Sequence, residues 1–202
     1  MNSNAETMNE KRFFKIRLYF TALVTVAIWS LLVWNHFHGG VPSHHIAADK
    51  DMPAISNWWG ALLLPLLTWL LLHRIQRRVF ASQGETSAIP GALRHVVYRF
   101  VGALLFGVLI AVFFTFGYND VTGYLVLGLL PLAILFPLYR AECLLGFVLA
   151  MTFTFGAVLP TAFGAFLILV GLVLYRFVRP ALLYILSKVI LLASLSKQKP
   201  HS

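Results

Sequence analysis

Residues 144–175 contain no charged side chain. As one α-helix this run would be about 48 Å long at 1.5 Å per residue, against a hydrocarbon core of about 30 Å. A helix that is apolar on every face needs either a large protein around it or lipid. The 202-residue chain is 59% hydrophobic and only 11% charged, where a soluble domain carries about 25% charged residues. Its polar surface is too small to enclose such a helix in water, so lipid is the expected solvent.

The basic residues then thread the chain. Of the 16 Lys and Arg residues, only Lys50 falls in a connection expected outside the cell. The others sit at apolar-segment ends or in connections that fall on one common side. Loops rich in Lys and Arg stay cytoplasmic. The expected spans are 18–34, 58–72, 100–117 and 123–139, each bounded by charged or polar residues. If 144–175 crossed once, Arg176 and Arg179 would lie outside. Two short spans turning near Pro160 satisfy both the length and the charge rule. Pro65, Pro131 and Pro137 are expected to bend the spans that hold them.

The predicted fold is therefore all-α: a polytopic membrane helix bundle of about six transmembrane helices plus a C-terminal amphipathic interfacial helix. Residues 1–17 form a basic cytoplasmic N-terminus, 18–179 the six-span domain with an outer loop at 35–57 and a cytoplasmic loop at 73–99, and 180–202 the amphipathic helix and tail. Lys188 in the middle of that tail argues against a seventh span, as do Lys197 and Lys199 beyond it. The N-terminus has the polar, basic, apolar order of a signal peptide. Its apolar part is too long for one and lacks an Ala-x-Ala site, so it reads as an uncleaved first span. The predicted location is a bacterial-type inner membrane with both termini cytoplasmic.

A net charge of +9 raises nucleic acid as a partner. The basic residues are scattered at segment ends and form no groove or stripe, so none is expected. They suit a bilayer with anionic head groups. The lone cysteine, Cys143, rules out an intramolecular disulfide and any Cys-based zinc or iron–sulfur centre within one chain. It reads as a small packing residue. Glu142 is read as lying near a cytoplasmic helix end, paired with Arg140 or facing water.

Small residues recur four apart at Ala103, Gly107 and Ala111, and at Gly146, Ala150 and Thr154. Such stripes let helix backbones approach closely. Phe114-Thr115-Phe116-Gly117 recurs as Phe153-Thr154-Phe155-Gly156, which raises a parallel repeat of two helix pairs, against chance in a small apolar alphabet.

The one concentrated piece of chemistry lies in the outer loop. His36, His38, His44 and His45 fall within ten residues, and Asp49 and Asp51 follow. Neutral imidazole is the commonest metal ligand and carboxylates complete such sites. An extended His36-Phe37-His38 places two rings on one side, and Gly39-Gly40 with Pro42 form a turn that returns His44 or His45 toward them. The set suits a divalent transition metal such as zinc. The rival reading has these rings hydrogen-bonding head groups or loop carbonyls. Ser56 or Asn57 is expected to cap the following helix. Three functions compete: a small permease or metal-handling protein, a metal-dependent membrane enzyme at the outer leaflet with Asp49, Asp51 or Asp120 as base, and a non-catalytic scaffold or accessory subunit. The permease leads, and the balance leans against an enzyme. The small-molecule or ion ligand is not legible, and a homo-oligomer stays open.

Overall fold

The computed structural model describes residues 3–45, 54–81 and 89–197. Among these the chain is helical apart from one small hairpin. Helix α1 spans Ser3–Phe37, strands β1 (Ser43–His45) and β2 (Ala54–Ser56) follow, and a 3-10 turn at Asn57–Trp59 leads into α2 (Gly60–Ala81). Then come α3 (Ile89–Thr115), α4 (Asn119–Leu135), α5 (Ala141–Phe155) and α6 (Val158–Val173). A π-helical turn at Leu174–Val178 joins α6 to α7 (Arg179–Lys197). The strands pair antiparallel, with Ser43 opposite Ser56 and His45 opposite Ala54.

Four helical stretches are long and apolar enough to cross a membrane: Glu10–Phe37, Asn57–Ala81, Gly91–Thr115 and Val158–Ile190. Helices α4 and α5 are apolar but short, at 17 and 15 residues, or about 25 and 22 Å. Large apolar side chains are exposed on every long helix, among them Trp29, Leu62, Leu105 and Leu169. Such a surface is stable only against lipid, where helices satisfy their own backbone groups. The chain is an all-α membrane protein.

The buried positions explain the packing. On α2 they are Gly60, Leu64, Thr68, Leu71, Ile75 and Val79, three or four apart, so they form one stripe, which Phe80 widens at its end. On α1 they are Phe13, Arg17, Val24, Ile28 and Leu32. The two stripes meet antiparallel: Phe13 lies edge-on to Phe80 and Phe14 to Trp69, with ring centres 5.8 and 6.0 Å apart. Helix α5 is the centre of the bundle. Every residue from Ala141 to Val148 is buried, and α5 packs against α2, α3 and α6.

The expected small-residue stripes face one another. A Cβ on Gly146 of α5 would overlap the Phe100 carbonyl oxygen of α3. One on Gly107 of α3 would sit 2.8 Å from the Ala150 Cβ and 3.2 Å from the Phe147 carbonyl oxygen. The helices run parallel here, and the Phe114 and Phe155 rings meet at 4.6 Å near their common end. The two Phe-Thr-Phe-Gly copies therefore close neighbouring helices. Each ends in a glycine of positive φ, Gly117 at 79° and Gly156 at 70°, where a side chain would be strained.

The turn within 144–175 falls at Gly156-Ala157, near Pro160 as expected. Pro160 sits in the first turn of α6, where its missing N–H has no helical partner to lose. Pro137 ends α4 instead of bending it: it forces Phe136 into an extended conformation (φ −119°, ψ 146°) by crowding the preceding residue. The basic run from His73 to Arg78 is helical, because α2 continues to Ala81.

Tight packing at Gly146 gives a direct test. Gly146→Ala is expected to destabilise the protein by about 1–3 kcal/mol through overpacking. Gly102 has nothing within 4 Å of its would-be Cβ, so Gly102→Ala should leave stability unchanged or raise it by about 1 kcal/mol through helix propensity. Thermal unfolding in detergent micelles checks both.

Candidate functional site at the basic end

The hairpin end holds the histidines, and the structure separates two of them. Helix α1 continues through Phe37, so His36 is in its last turn and His38 lies just beyond. Residues two apart on a helix point about 200° away from one another. The His36 ring accordingly meets Phe37 and Trp58, at 5.2 and 6.1 Å. The His38 ring stacks on Trp34 at 3.9 Å and 12°. The expected extended His-x-His with both rings on one side is therefore not formed. Gly39 and Gly40 do form the turn, with φ of 110° and 93°. His44 and His45 lie in β1, while Asp49, Lys50 and Asp51 lie outside the described residues. Among the described residues no three His, Cys, Asp or Glu side chains gather as a metal-holding group.

Two smaller features fix this end. Ser56 Oγ accepts from the Trp58 N–H at 3.4 Å, which is the capping role expected of it. The Asn57 side chain lies over Gly156, whose missing Cβ makes room for it. The start of α2 is thereby tied to the α5–α6 turn. Asp120 is exposed in the first turn of α4.

The other end of the bundle holds an ion pair that the sequence reading did not assemble. Glu142, in the first turn of α5, is completely buried. Arg78 of α2 donates from Nη2 to both carboxylate oxygens, at 3.0 Å each. Arg99 of α3 donates from Nη1 to Oε1 at 3.4 Å. Glu142 does not pair with Arg140, which precedes α5 and whose buried Nε has no partner. One carboxylate thus links three helices, at a helix N-terminus where negative charge is favoured. Two guanidiniums share one carboxylate, so the group keeps one positive charge.

Two clefts of about 540 Å³ each flank this group. The first lies among α3, α4, α5 and α6. Its polar lining, His95, Tyr98 and Arg99, comes from one stretch of α3, and residues such as Phe106, Leu129, Phe147 and Ile168 form apolar walls. The second lies among α1, α2, α3 and α5, with Arg12 and Glu142 in a wall otherwise made of residues such as Phe20 and Val96. Cys143 is buried and lines the first cleft.

A further polar knot joins α1 to α2 nearby. Arg17 Nη1 donates to His73 Nδ1 at 2.7 Å and to Gln76 Oε1 at 3.1 Å. Its guanidinium lies 3.9 Å from the Trp69 ring centre, a cation–π contact. Because Arg17 can only donate, His73 accepts on Nδ1 and carries its proton on Nε2.

No known protein family, curated protein or solved structure matches the chain. The functional reading therefore rests on this geometry. A signal for the ion pair was present: Glu142 follows Arg140 and opens a long uncharged run, and an ionisable residue beside membrane-depth sequence is a candidate site by default. Its partners were not legible, because they lie 64 and 43 positions away.

The geometry ranks the two partners. Arg78 and Arg99 retain 35% and 30% side-chain exposure and can rehydrate when the acid is removed, so Glu142→Gln should cost about 3 kcal/mol, the low end for a broken buried pair. Double-mutant cycles read by thermal unfolding should give a larger coupling of Glu142 to Arg78 than to Arg99. Equal couplings would contradict the contact pattern.

Proposed function

We propose that the chain is a small permease of a bacterial-type inner membrane. In this reading six helices occupy the bilayer, with α4 and α5 as its short members. Helix α7 lies along the cytoplasmic surface, and the basic end and both termini face the cytoplasm. The bias of Lys and Arg toward that end supports the orientation.

The observation that carries the reading is the Arg78–Glu142–Arg99 group wedged between two clefts in the bundle. A carrier needs a charged group beside its cleft whose internal partner can be exchanged for a ligand. Arg99 supplies this: Glu142 holds it through one longer contact, while Arg78 holds the same carboxylate through two shorter ones. A ligand that takes Arg99 leaves Glu142 neutralised. The enzyme reading calls on Asp49, Asp51 or Asp120 as base; the first two lie outside the described residues, and Asp120 is exposed in the first turn of α4.

Proteoliposomes exposed to a panel of labelled small carboxylates, cations and zwitterions test the proposal. At least one solute is expected to cross about tenfold faster with wild-type protein than with folded Arg99→Gln protein, the effect of losing one charged hydrogen bond. Equal flux for every solute in wild-type, variant and protein-free vesicles would sink the reading. A reporter fused after Gly84 should read cytoplasmic.

One observation favours a second, metal-handling reading. The His38 Nδ1 lies 2.9 Å from the Trp34 carbonyl oxygen. A carbonyl only accepts, so Nδ1 carries a proton, and in the neutral ring it is Nε2 that offers a lone pair. This is how backbone carbonyls orient metal-ligating histidines. Zinc would then be captured by His38 with further donors from among His36, His44, His45, Asp49 and Asp51. Metal content of tag-free protein is the check: stoichiometric zinc in wild type and none in a variant with all four histidines changed to Ala. Equal zinc in both would remove this reading.

A further inference from the structure

We infer that the cleft among α3, α4, α5 and α6 binds a fatty-acid-type monocarboxylate, with its head on Arg99 and its chain along the apolar walls. This rests on the permease reading of the same site and names its substrate class.

Three observations lead there. The first is the distribution of polarity. The polar lining, His95, Tyr98 and Arg99, is gathered on one stretch of α3 at the basic end, and the remaining walls are almost wholly apolar. That is the polarity of a single-chain amphiphile, and about 540 Å³ falls in the range of small-molecule sites. The second is charge. Arg78 and Arg99 share the one Glu142 carboxylate, which leaves positive charge beside the cleft for an anion to neutralise. The third is the contrast between the clefts. The wall of the second includes Glu142 as well as Arg12. Among the described residues no Asp or Glu lines the first.

A guanidinium held by a single 3.4 Å contact has donors left for an incoming carboxylate, and Arg suits that geometry. Tyr98 and His95 add hydroxyl and imidazole groups at the same end. Gly102, which lines the cleft and has no atom within 4 Å of its would-be Cβ, leaves the chain room beside α3.

The test uses full-length protein in micelles of a neutral detergent, titrated with a fluorescent polyene fatty acid and, in parallel, with its methyl ester. The acid should bind about tenfold or more tightly than the ester, since the ester loses the charge-assisted contact. Arg99→Gln should weaken the acid by about the same factor and leave the ester unaffected. Gly102→Trp, which fills the cleft one turn from Arg99, should weaken both. Arg12→Gln should change neither. Thermal unfolding of each variant establishes that it is folded. Equal binding of acid and ester, or an unchanged affinity in folded Gly102→Trp, would overturn the site. So would a wild-type dimer that excludes the probe and that Gly102→Trp dissociates, because the cleft would then belong to a second copy of the chain. Flux assays separate this inference from the reading beneath it. Binding with the expected variant pattern but no movement of labelled acid keeps the site and removes the permease. Movement of another solute without acid binding does the reverse.

Discussion

The bundle depends on how a single buried carboxylate is neutralised. Glu142 has no exposure, and an unpaired ionised carboxylate in such a place is prohibitively costly. Its position therefore obliges α2 and α3 to present Arg78 and Arg99 to the same point on α5. This sets the rotation of three helices about their axes at the basic end. The small residues do the same along their length. Gly107 and Gly146 admit backbone contact between α3 and α5 that any larger side chain would prevent. In lipid, where apolar packing between helices gains nothing from expelling water, close approach and polar pairing are the forces that remain. Both act on α5, which explains why the shortest apolar helix is also the most enclosed.

The two ends of the molecule are built on different principles. At the hairpin end, order comes from local backbone chemistry: the Gly39-Gly40 turn, the Ser56 cap, and Asn57 over Gly156. At the basic end it comes from long-range charge, with Glu142 joined to α2 and α3 and Arg17 joined to His73 and Gln76. Local turns can be recognised from a few adjacent residues, so the Gly39-Gly40 turn and the Ser56 cap were legible, whereas the strand pairing and the Asn57–Gly156 contact were not. Nor was the candidate site. Its members are 43 and 64 positions apart in the chain, and the two clefts exist only once four helices are assembled around each.

The histidines show how a sequence pattern misleads when the local conformation is assumed. Four imidazoles within ten residues look like a ligand set if the chain is extended. Because α1 runs on through Phe37, His36 turns toward Trp58 while His38 stacks on Trp34. The aromatic neighbours and the Trp34 carbonyl account for both rings without any ligand. They also leave His38 in the tautomer a metal would need, so the same contacts serve a structural and a metal-handling account.

Composition and charge order by themselves determined that this chain is an all-α membrane protein. They also placed the apolar part of most helices, though α1, α2 and α3 run 15, 9 and 11 residues beyond the expected spans, and marked the stripes on which α3 and α5 meet. Those properties are sums or periodicities along the chain, and lipid imposes them residue by residue. Only the tertiary structure decided which cations Glu142 meets, that α5 is central, and that clefts open on either side of the ion pair. Each residue turns a helix side chain by 100°, so a partner is chosen by the rotation and register of whole helices. No local feature of the sequence carries those two quantities.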